Sequence, residues 1–368
     1  MIAKQWEIKV AAFNFLLFTF DLHTNNMNRK KFLGSAMTLL AASSVSAKSA
    51  VESISALTDD ESFCSCPSYL KEGDIIGITS PAGFISLEAI QPAIQKLESW
   101  GYKIKIGNTI GKKDFTFGGT DEERKNDFQD MLDDSSVKAI LCARGGYGIV
   151  RIIDNLNFKN FIAHPKWIIG FSDVTVLHNH INRNFKVVTI HSKMCNSFPL
   201  DPTLSDVTQK LSLQSIDDCL KGKEIKYIAT NNPNNKIGDV KGELVGGNLR
   251  IIESLAGSKS DLLTKNKILF VEDTDEYLYN IDRMFWNLKR TGKLDHLKGL
   301  IVGCFKIKPD NPGEEFGLTL EQIVLEKTKE YKYPVCFDFP VGHQKNNMAL
   351  RCGKIHRLSV SAEEVFLM

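Results

Sequence analysis

The sequence lacks an excess of charge of either sign: 46 Lys and Arg stand against 44 Asp and Glu, a formal +2. A nucleic-acid binder or a strongly basic membrane-surface protein would normally carry a basic run, and none occurs after residue 50. Cys-x-x-Cys pairs are missing, which removes the usual zinc and dithiol motifs. The eight cysteines do not look like a disulfide framework. Cys142, Cys304 and Cys336 lie in apolar, strand-like runs, where Cys is a small buried hydrophobe, and Cys64 and Cys66 are too close to pair comfortably. There is no internal repeat, no low-complexity tract, no phosphate loop ending in Lys-Ser/Thr and no complete Gly-x-Gly-x-x-Gly fingerprint. What remains is an ordinary globular composition, 43% hydrophobic and 24% charged, in 368 residues, long enough for two domains.

The first fifty residues differ in texture. Residues 10–20 form a short apolar run. A second, Phe32 to Val45, follows the basic group Asn28-Arg29-Lys30-Lys31 and ends at Val45-Ser46-Ala47. Basic start, apolar stretch and small-x-small end are the parts of a secretory signal, and the stretch is too short to span a bilayer comfortably. Met27 directly precedes the basic group, so the natural start is expected there, with residues 1–26 an upstream extension and 1–47 a signal-like segment. Residues 1–47 hold five basic and two acidic side chains; without them the balance is 41 against 42, or −1. A periplasmic protein with no stable membrane insertion after signal removal is expected. A loosely structured N-terminus on a cytoplasmic protein is the plainer alternative.

Beyond about residue 68, strand and helix signals alternate. Asp74–Thr79 reads as a buried strand ending at Ser80-Pro81-Ala82-Gly83, and Leu87, Ile90, Ala93, Ile94 and Leu97 then fall on one helical face. Further strands are expected at Tyr102–Ile106, Val137–Ala143 and Trp167–Phe171. Helices are expected at Asp121–Leu132 and Ile149–Leu156, with another opening at Ser172. Strands separated by such helices imply parallel crossovers and an open α/β sheet, with ligands bound beyond the C-terminal strand ends. Asp201-Pro202-Thr203 and Asn231-Asn232-Pro233-Asn234-Asn235 are loop material, so 201–240 reads as a linker between an α/β domain, 68–200, and an α+β domain, 241–368. The latter shows strands Ile268–Val271, Gly299–Phe305 and His356–Val360 and helices Tyr277–Arg290 and Leu318–Tyr331.

Ser172 stands where the apolar strand Trp167-Ile168-Ile169 runs through Gly170-Phe171-Ser172-Asp173 into a helix carrying Val174, Leu177 and Ile181. A serine at such a turn has its hydroxyl lifted out of the sheet. The helix N-terminus beyond it offers unpaired N–H groups and a positive dipole end, suited to an oxyanion. The plain alternative is an N-cap, which local sequence alone favours. Arg144-Gly145-Gly146-Tyr147-Gly148 permits positive φ and close backbone approach; a phosphate cradle, an oxyanion loop beside Ser172 and a tight turn all fit. Glu272-Asp273 ends a buried strand, where sites form, although Asp273 or Thr274 also suits the cap of a helix starting near Glu276. His343 follows Phe339-Pro340-Val341-Gly342, yet nothing local selects it over His178, His180 or His191. A serine nucleophile needs a base, and the base needs a carboxylate to fix its tautomer. Ser172, Glu272 and His343 each lie at the end of an expected strand.

In combination these residues match a known family. From about residue 70 to the C-terminus the chain resembles the LD-carboxypeptidases, serine peptidases that trim murein tetrapeptides and are related to microcin-immunity peptidases. The matching segments are Ser80-Pro-Ala-Gly83, Arg144-Gly-Gly-Tyr-Gly148, Gly170-Phe-Ser-Asp-Val-Thr175, Gly242-Glu-Leu-Val-Gly-Gly-Asn-Leu249, Leu269-Phe-Val-Glu-Asp273 and Val341-Gly-His343. The resemblance implies a flavodoxin-like open parallel sheet domain, a smaller α+β C-terminal domain and a homodimer. It implies a Ser172–Glu272–His343 triad, an oxyanion hole from the amides of Gly146 and Asp173, and substrate contacts from Arg144, Gly145 and Ser80. It further implies release of D-Ala from a murein tetrapeptide at a meso-diaminopimelate L-centre, without metal or other cofactor. A microcin-immunity-type peptidase or amidase with the same triad is the nearest alternative. A non-catalytic periplasmic peptide-binding protein, with Ser172 as a cap, is the rival of another class. The export-like segment departs from the family's cytoplasmic recyclers and would place the enzyme on periplasmic murein.

Overall fold

The computed structural model describes residues 64–368 apart from 202 and 204, so the signal-like segment lies outside the described residues. Strand β1 (Ile75–Thr79) leads into helix α1 (Leu87–Ser99), β2 (Lys103–Ile106), α2 (Asp121–Asp133) and β3 (Val137–Cys142). The short helices α3 (Ile149–Ile152) and α4 (Lys159–Ala163) follow, then β4 (Trp167–Gly170), α5 (Thr175–Phe185) and β5 (Thr189–His191). The chain continues through α6 (Val207–Leu220), β6 (Tyr227–Ala229), β7 (Gly238–Asn248), α7 (Leu249–Ser254), β8 (Lys267–Glu276), α8 (Leu278–Arg290) and β9 (Gly299–Ile307). Helix α9 (Leu320–Thr328), β10 (Val335–Cys336), β11 (Leu350–Cys352), β12 (Ile355–Val360) and β13 (Val365–Leu367) close it.

Two sheets result. The first has the order β2-β1-β3-β4-β5-β11, parallel except for β11, and its first five strands wind as in a flavodoxin-like sheet. In the second, β10-β9-β8-β7-β12-β13-β6, the first four strands are parallel and the last three antiparallel. Burial explains the parallel part: β1, β3 and β4 are apolar runs covered on both faces, with one core cluster centred on Ile78, Leu141 and Ile169 and another on Ile140, Ile168 and Leu177. Helix α1 buries Ile90, Ala93, Ile94 and Leu97 and is capped by Ser86, which accepts from Ala89 N; Leu87, expected on the same face, stays exposed. A Thr120–Glu123 capping box starts α2.

The described residues, from 64 on, make one compact unit, and the two sheets share chain. The stretch read as linker holds α6 and β6, and β11 returns from the C-terminal region to pair with β5. The helix expected over 149–156 shortens to α3 followed by a 3-10 turn, Ile153–Asn155. The one expected to open at Ser172 starts at Thr175, after a 3-10 turn at Ser172–Val174. All eight cysteines are free thiols. Among the described residues no helix is long and apolar enough to cross a membrane.

Candidate active site

The site begins where β4 stops. Ser172 takes φ +61, a left-handed conformation that costs a non-glycine residue of order 1–3 kcal/mol and that the surrounding structure must hold in place. It caps nothing: the 3-10 turn has Phe171 as its N-cap and α5 has Val174, neither with a side-chain bond. The Ser172 hydroxyl has no hydrogen-bond partner among the described residues. Gly145 flanks it closely, since a Cβ there would lie 3.0 Å from Ser172 Cβ and 3.1 Å from Oγ. Only glycine lets the loop after β3 approach this far.

That loop is held from two sides. Gly83 N donates to Gly145 O (2.9 Å), and wholly buried Arg124 donates to Pro81 O (2.6 Å) and Gly148 O (2.9 Å). Asp173, 1% exposed, accepts from Ile149 N (2.9 Å) at the start of α3, tying the serine turn to the end of the glycine-rich loop. Burial pushes the Asp173 carboxyl up to about 6, against the pull of the Ile149 N–H and Arg124. Gly146 is exposed at φ +102, and its amide donates to no group among the described residues. Arg144 is exposed, with Nη1 on Phe84 O (2.8 Å). Ser80 is wholly buried and donates to Gly83 O (2.5 Å), so its hydroxyl shapes the turn rather than facing a substrate.

The second sheet brings the other two residues. Glu272, on β8, is wholly buried, and its Oε2 lies 2.6 Å from His343 Nδ1. An ionised carboxylate only accepts, so Nδ1 carries the proton and Nε2 keeps its lone pair for a base. The His343 ring packs 4.7 Å from that of Phe171, the residue before Ser172. Gly342 makes this possible: at φ +109, a Cβ would meet Glu272 Cβ at 2.6 Å and Oε2 at 2.8 Å. Buried Asn347 accepts from Gly342 N (2.9 Å) and holds the loop. The two sheets meet at the serine helix, where Asn248 N donates to Thr175 Oγ1 (3.1 Å). A cavity of about 640 Å³ opens at the end of β9, bordered in part by Gly303, Cys304, Pro340 and Gln344, and neither Ser172, Glu272 nor His343 lines it.

The other candidates sort themselves by their partners. Asp273 accepts from Arg250 N (2.9 Å) and Asn248 Nδ2 (2.9 Å), so it serves the start of α7 and not the helix near Glu276, whose N-cap Tyr277 has no side-chain bond. His178 donates to Gly170 O (2.9 Å), and burial pushes it down to about 4. His180 pairs with Ser260 Oγ (2.9 Å), while buried His191 has no polar partner and packs against Phe171 and Phe270. Among the described residues His343 is the one histidine bonded to a carboxylate. No described cluster of three or more His, Cys, Asp or Glu is placed to hold a metal ion. Arg124 and Asn347 are not singled out by the sequence, because a buried arginine and an asparagine inside a loop leave no periodic signal; Thr175 stands there only as the end of a matching segment.

A half-buried serine on a strained strand-to-helix turn, with a histidine–carboxylate pair alongside, has the makings of a serine hydrolase. The comparisons carry this further. Residues 76–192 match the LD-carboxypeptidase N-terminal domain and residues 241–358 the LD-carboxypeptidase C-terminal domain. The chain is 34% identical over 293 residues to a probable murein peptide carboxypeptidase of Bacillus subtilis, covering 78% of this chain and 89% of the relative. It is 28% identical over 284 residues to the murein tetrapeptide carboxypeptidase of Pseudomonas aeruginosa, covering 76% and 91%. A muramoyltetrapeptide carboxypeptidase from Oxalobacter formigenes superposes with a TM-score of 0.70 at 28% identity, over 80% of this chain and 97% of that one. These define an enzyme of the serine-type peptidase class. The chain belongs to the LD-carboxypeptidase family.

Proposed function

We propose that the enzyme is a muramoyltetrapeptide carboxypeptidase that cuts the L-D bond before the terminal D-Ala. The observation that carries the mechanism is the 2.6 Å Glu272–His343 pair, set against Phe171 beside Ser172. His343 Nε2 takes the Ser172 proton as Oγ attacks the scissile carbonyl carbon. The amides of Gly146 and Asp173 hold the resulting oxyanion, each worth roughly 3 kcal/mol. His343 then passes its proton to the D-Ala nitrogen as the C–N bond breaks, leaving an ester on Ser172. Water, deprotonated by His343, attacks the ester and frees the tripeptide carboxylate. Glu272 fixes the imidazole tautomer and offsets the charge of the imidazolium. The test is labelling with a fluorophosphonate: modification confined to Ser172 and abolished by Ser172→Ala supports the reading, and labelling that persists in the variant refutes it.

A second reading has one observation behind it: 27% identity over 262 residues to the microcin C7 self-immunity protein of Escherichia coli, covering 64% of this chain. The same three residues would serve an amidase acting on another acyl group. Mass spectrometry of the products from muropeptides and from aminoacyl sulfamoyl nucleosides separates the two.

A further inference from the structure

Lys193 is a buried cation without an anion. It is 6% exposed, and its ammonium makes one hydrogen bond, to Gln344 O at 3.1 Å. No described carboxylate lies within ion-pair distance. Three N–H donors with one acceptor leave two unspent, and a lysine this buried is ordinarily paired. Asp206, whose charge acts on it, is already engaged by Gln209 N (2.8 Å) and Lys345 (3.5 Å). Burial pushes the Lys193 ammonium down to about 8; Asp206 pulls it back up and Lys306 opposes that. The surroundings therefore lack negative charge where the ammonium sits.

Its place in the fold puts it on the strand exit next to that of Ser172. Strands β4 and β5 run parallel with Gly170 opposite His191, and Ser192 N donates to Gly170 O at 3.0 Å. Ser172 and Lys193 thus each lie two residues beyond this pair, on neighbouring strand exits. The next residue, Met194, has its methyl 3.2 Å from the position a Cβ on Gly145 would take, and that position is 3.1 Å from Ser172 Oγ. On the other side, Gln344, which accepts from Lys193, directly follows His343. A peptide with its scissile carbonyl at Ser172 has its terminal carboxylate one residue further on, about 3.8 Å along the chain, a step comparable to the roughly 4.8 Å between adjacent strands.

We infer that Lys193 receives the free α-carboxylate of the peptide's C-terminal residue and so selects for cleavage at a chain end. This rests on the carboxypeptidase reading. The competing role, a brace for the His343 loop through Gln344, would affect peptides with and without a terminal carboxylate equally.

The experiment is calorimetric titration of a tetrapeptide and its C-terminal amide into the enzyme carrying Ser172→Ala, with and without Lys193→Met. The carboxylate peptide is expected to bind roughly 10–100-fold more tightly than the amide when Lys193 is present, the size of one charge-assisted contact. Lys193→Met should bring that ratio close to one while barely changing the amide, and Lys193→Arg should keep a preference. Lys193→Gln serves as a second uncharged variant should the methionine one not fold. Equal weakening of both peptides overturns the inference, as does a preference that survives Lys193→Met and vanishes in Arg144→Ala. Binding in this background needs no turnover. A preference that depends on Lys193 in an enzyme inert towards both peptides would therefore sink the carboxypeptidase reading alone.

Discussion

Replacing Gly342 by alanine strikes the base and its carboxylate without changing either. The backbone there sits at φ +109, outside the range a β-carbon tolerates, and the new methyl would lie 2.6 Å from Glu272 Cβ and 2.8 Å from Oε2. Ordinary carbon contacts begin near 3.5 Å, so Glu272 or the His343 loop must move by roughly 1 Å. Two costs follow. Backbone strain should take about 1–3 kcal/mol from stability, lowering the melting temperature by a few degrees. Misplacing a catalytic group by about 1 Å should lower kcat by roughly a hundredfold. Steady-state D-Ala release measures the second, and a thermal melt at the assay pH measures the first and shows that the variant is folded. Activity within about threefold of wild type, in a folded variant, would refute the placement of His343 as base.

Glu272→Gln keeps the shape and an acceptor for Nδ1 but removes the charge that stabilises the imidazolium. The expected loss in kcat is about 10³–10⁴-fold with little change in KM, read from initial rates. Asp173 is pushed up to about 6 from an ordinary 3.8, so the folded protein holds a proton there that the unfolded chain has lost. Its contribution is full below pH 4 and disappears as pH rises through 6, a swing of roughly 3 kcal/mol. Asp173→Asn should therefore gain in melting temperature relative to wild type between pH 4 and 7; a constant difference would contradict the burial argument. Asp273 carries a similar shift, so part of the slope should remain in the variant. Residues 1–47 are proposed to direct export, and fractionation should find the mature chain in the periplasm, shortened at or near Ala47; full-length protein in the cytoplasm would reverse that.

The parallel core was legible because β1, β3 and β4 are apolar runs separated by helices with a clear buried face. Helix α6 was not, because its buried side carries Ser212, Ser215 and Asp217, which mask the apolar period. Strands β5 and β11 are three residues each, and their pairing across the chain rests on long-range packing that no local pattern records. At the site, the residues of the proposed triad were reachable through the family pattern, yet the fact that decides Ser172 against an N-cap is its φ of +61, a conformation a non-glycine residue does not advertise. Choosing among the histidines likewise needed a partner: Glu272 reaches His343 from another sheet strand 71 residues away in sequence. Lys193 is invisible for the converse reason, since an unpaired ammonium is recognised only by what surrounds it.

The central claim is that Ser172 cuts the bond before a terminal D-Ala. Mass spectrometry of a purified tetrapeptide stem incubated with wild type and with folded Ser172→Ala tests it most directly. Tripeptide and free D-Ala from the wild type, and intact tetrapeptide from the variant, are the predicted result. Cleavage at another bond by the wild type, or undiminished D-Ala release by the variant, would contradict it.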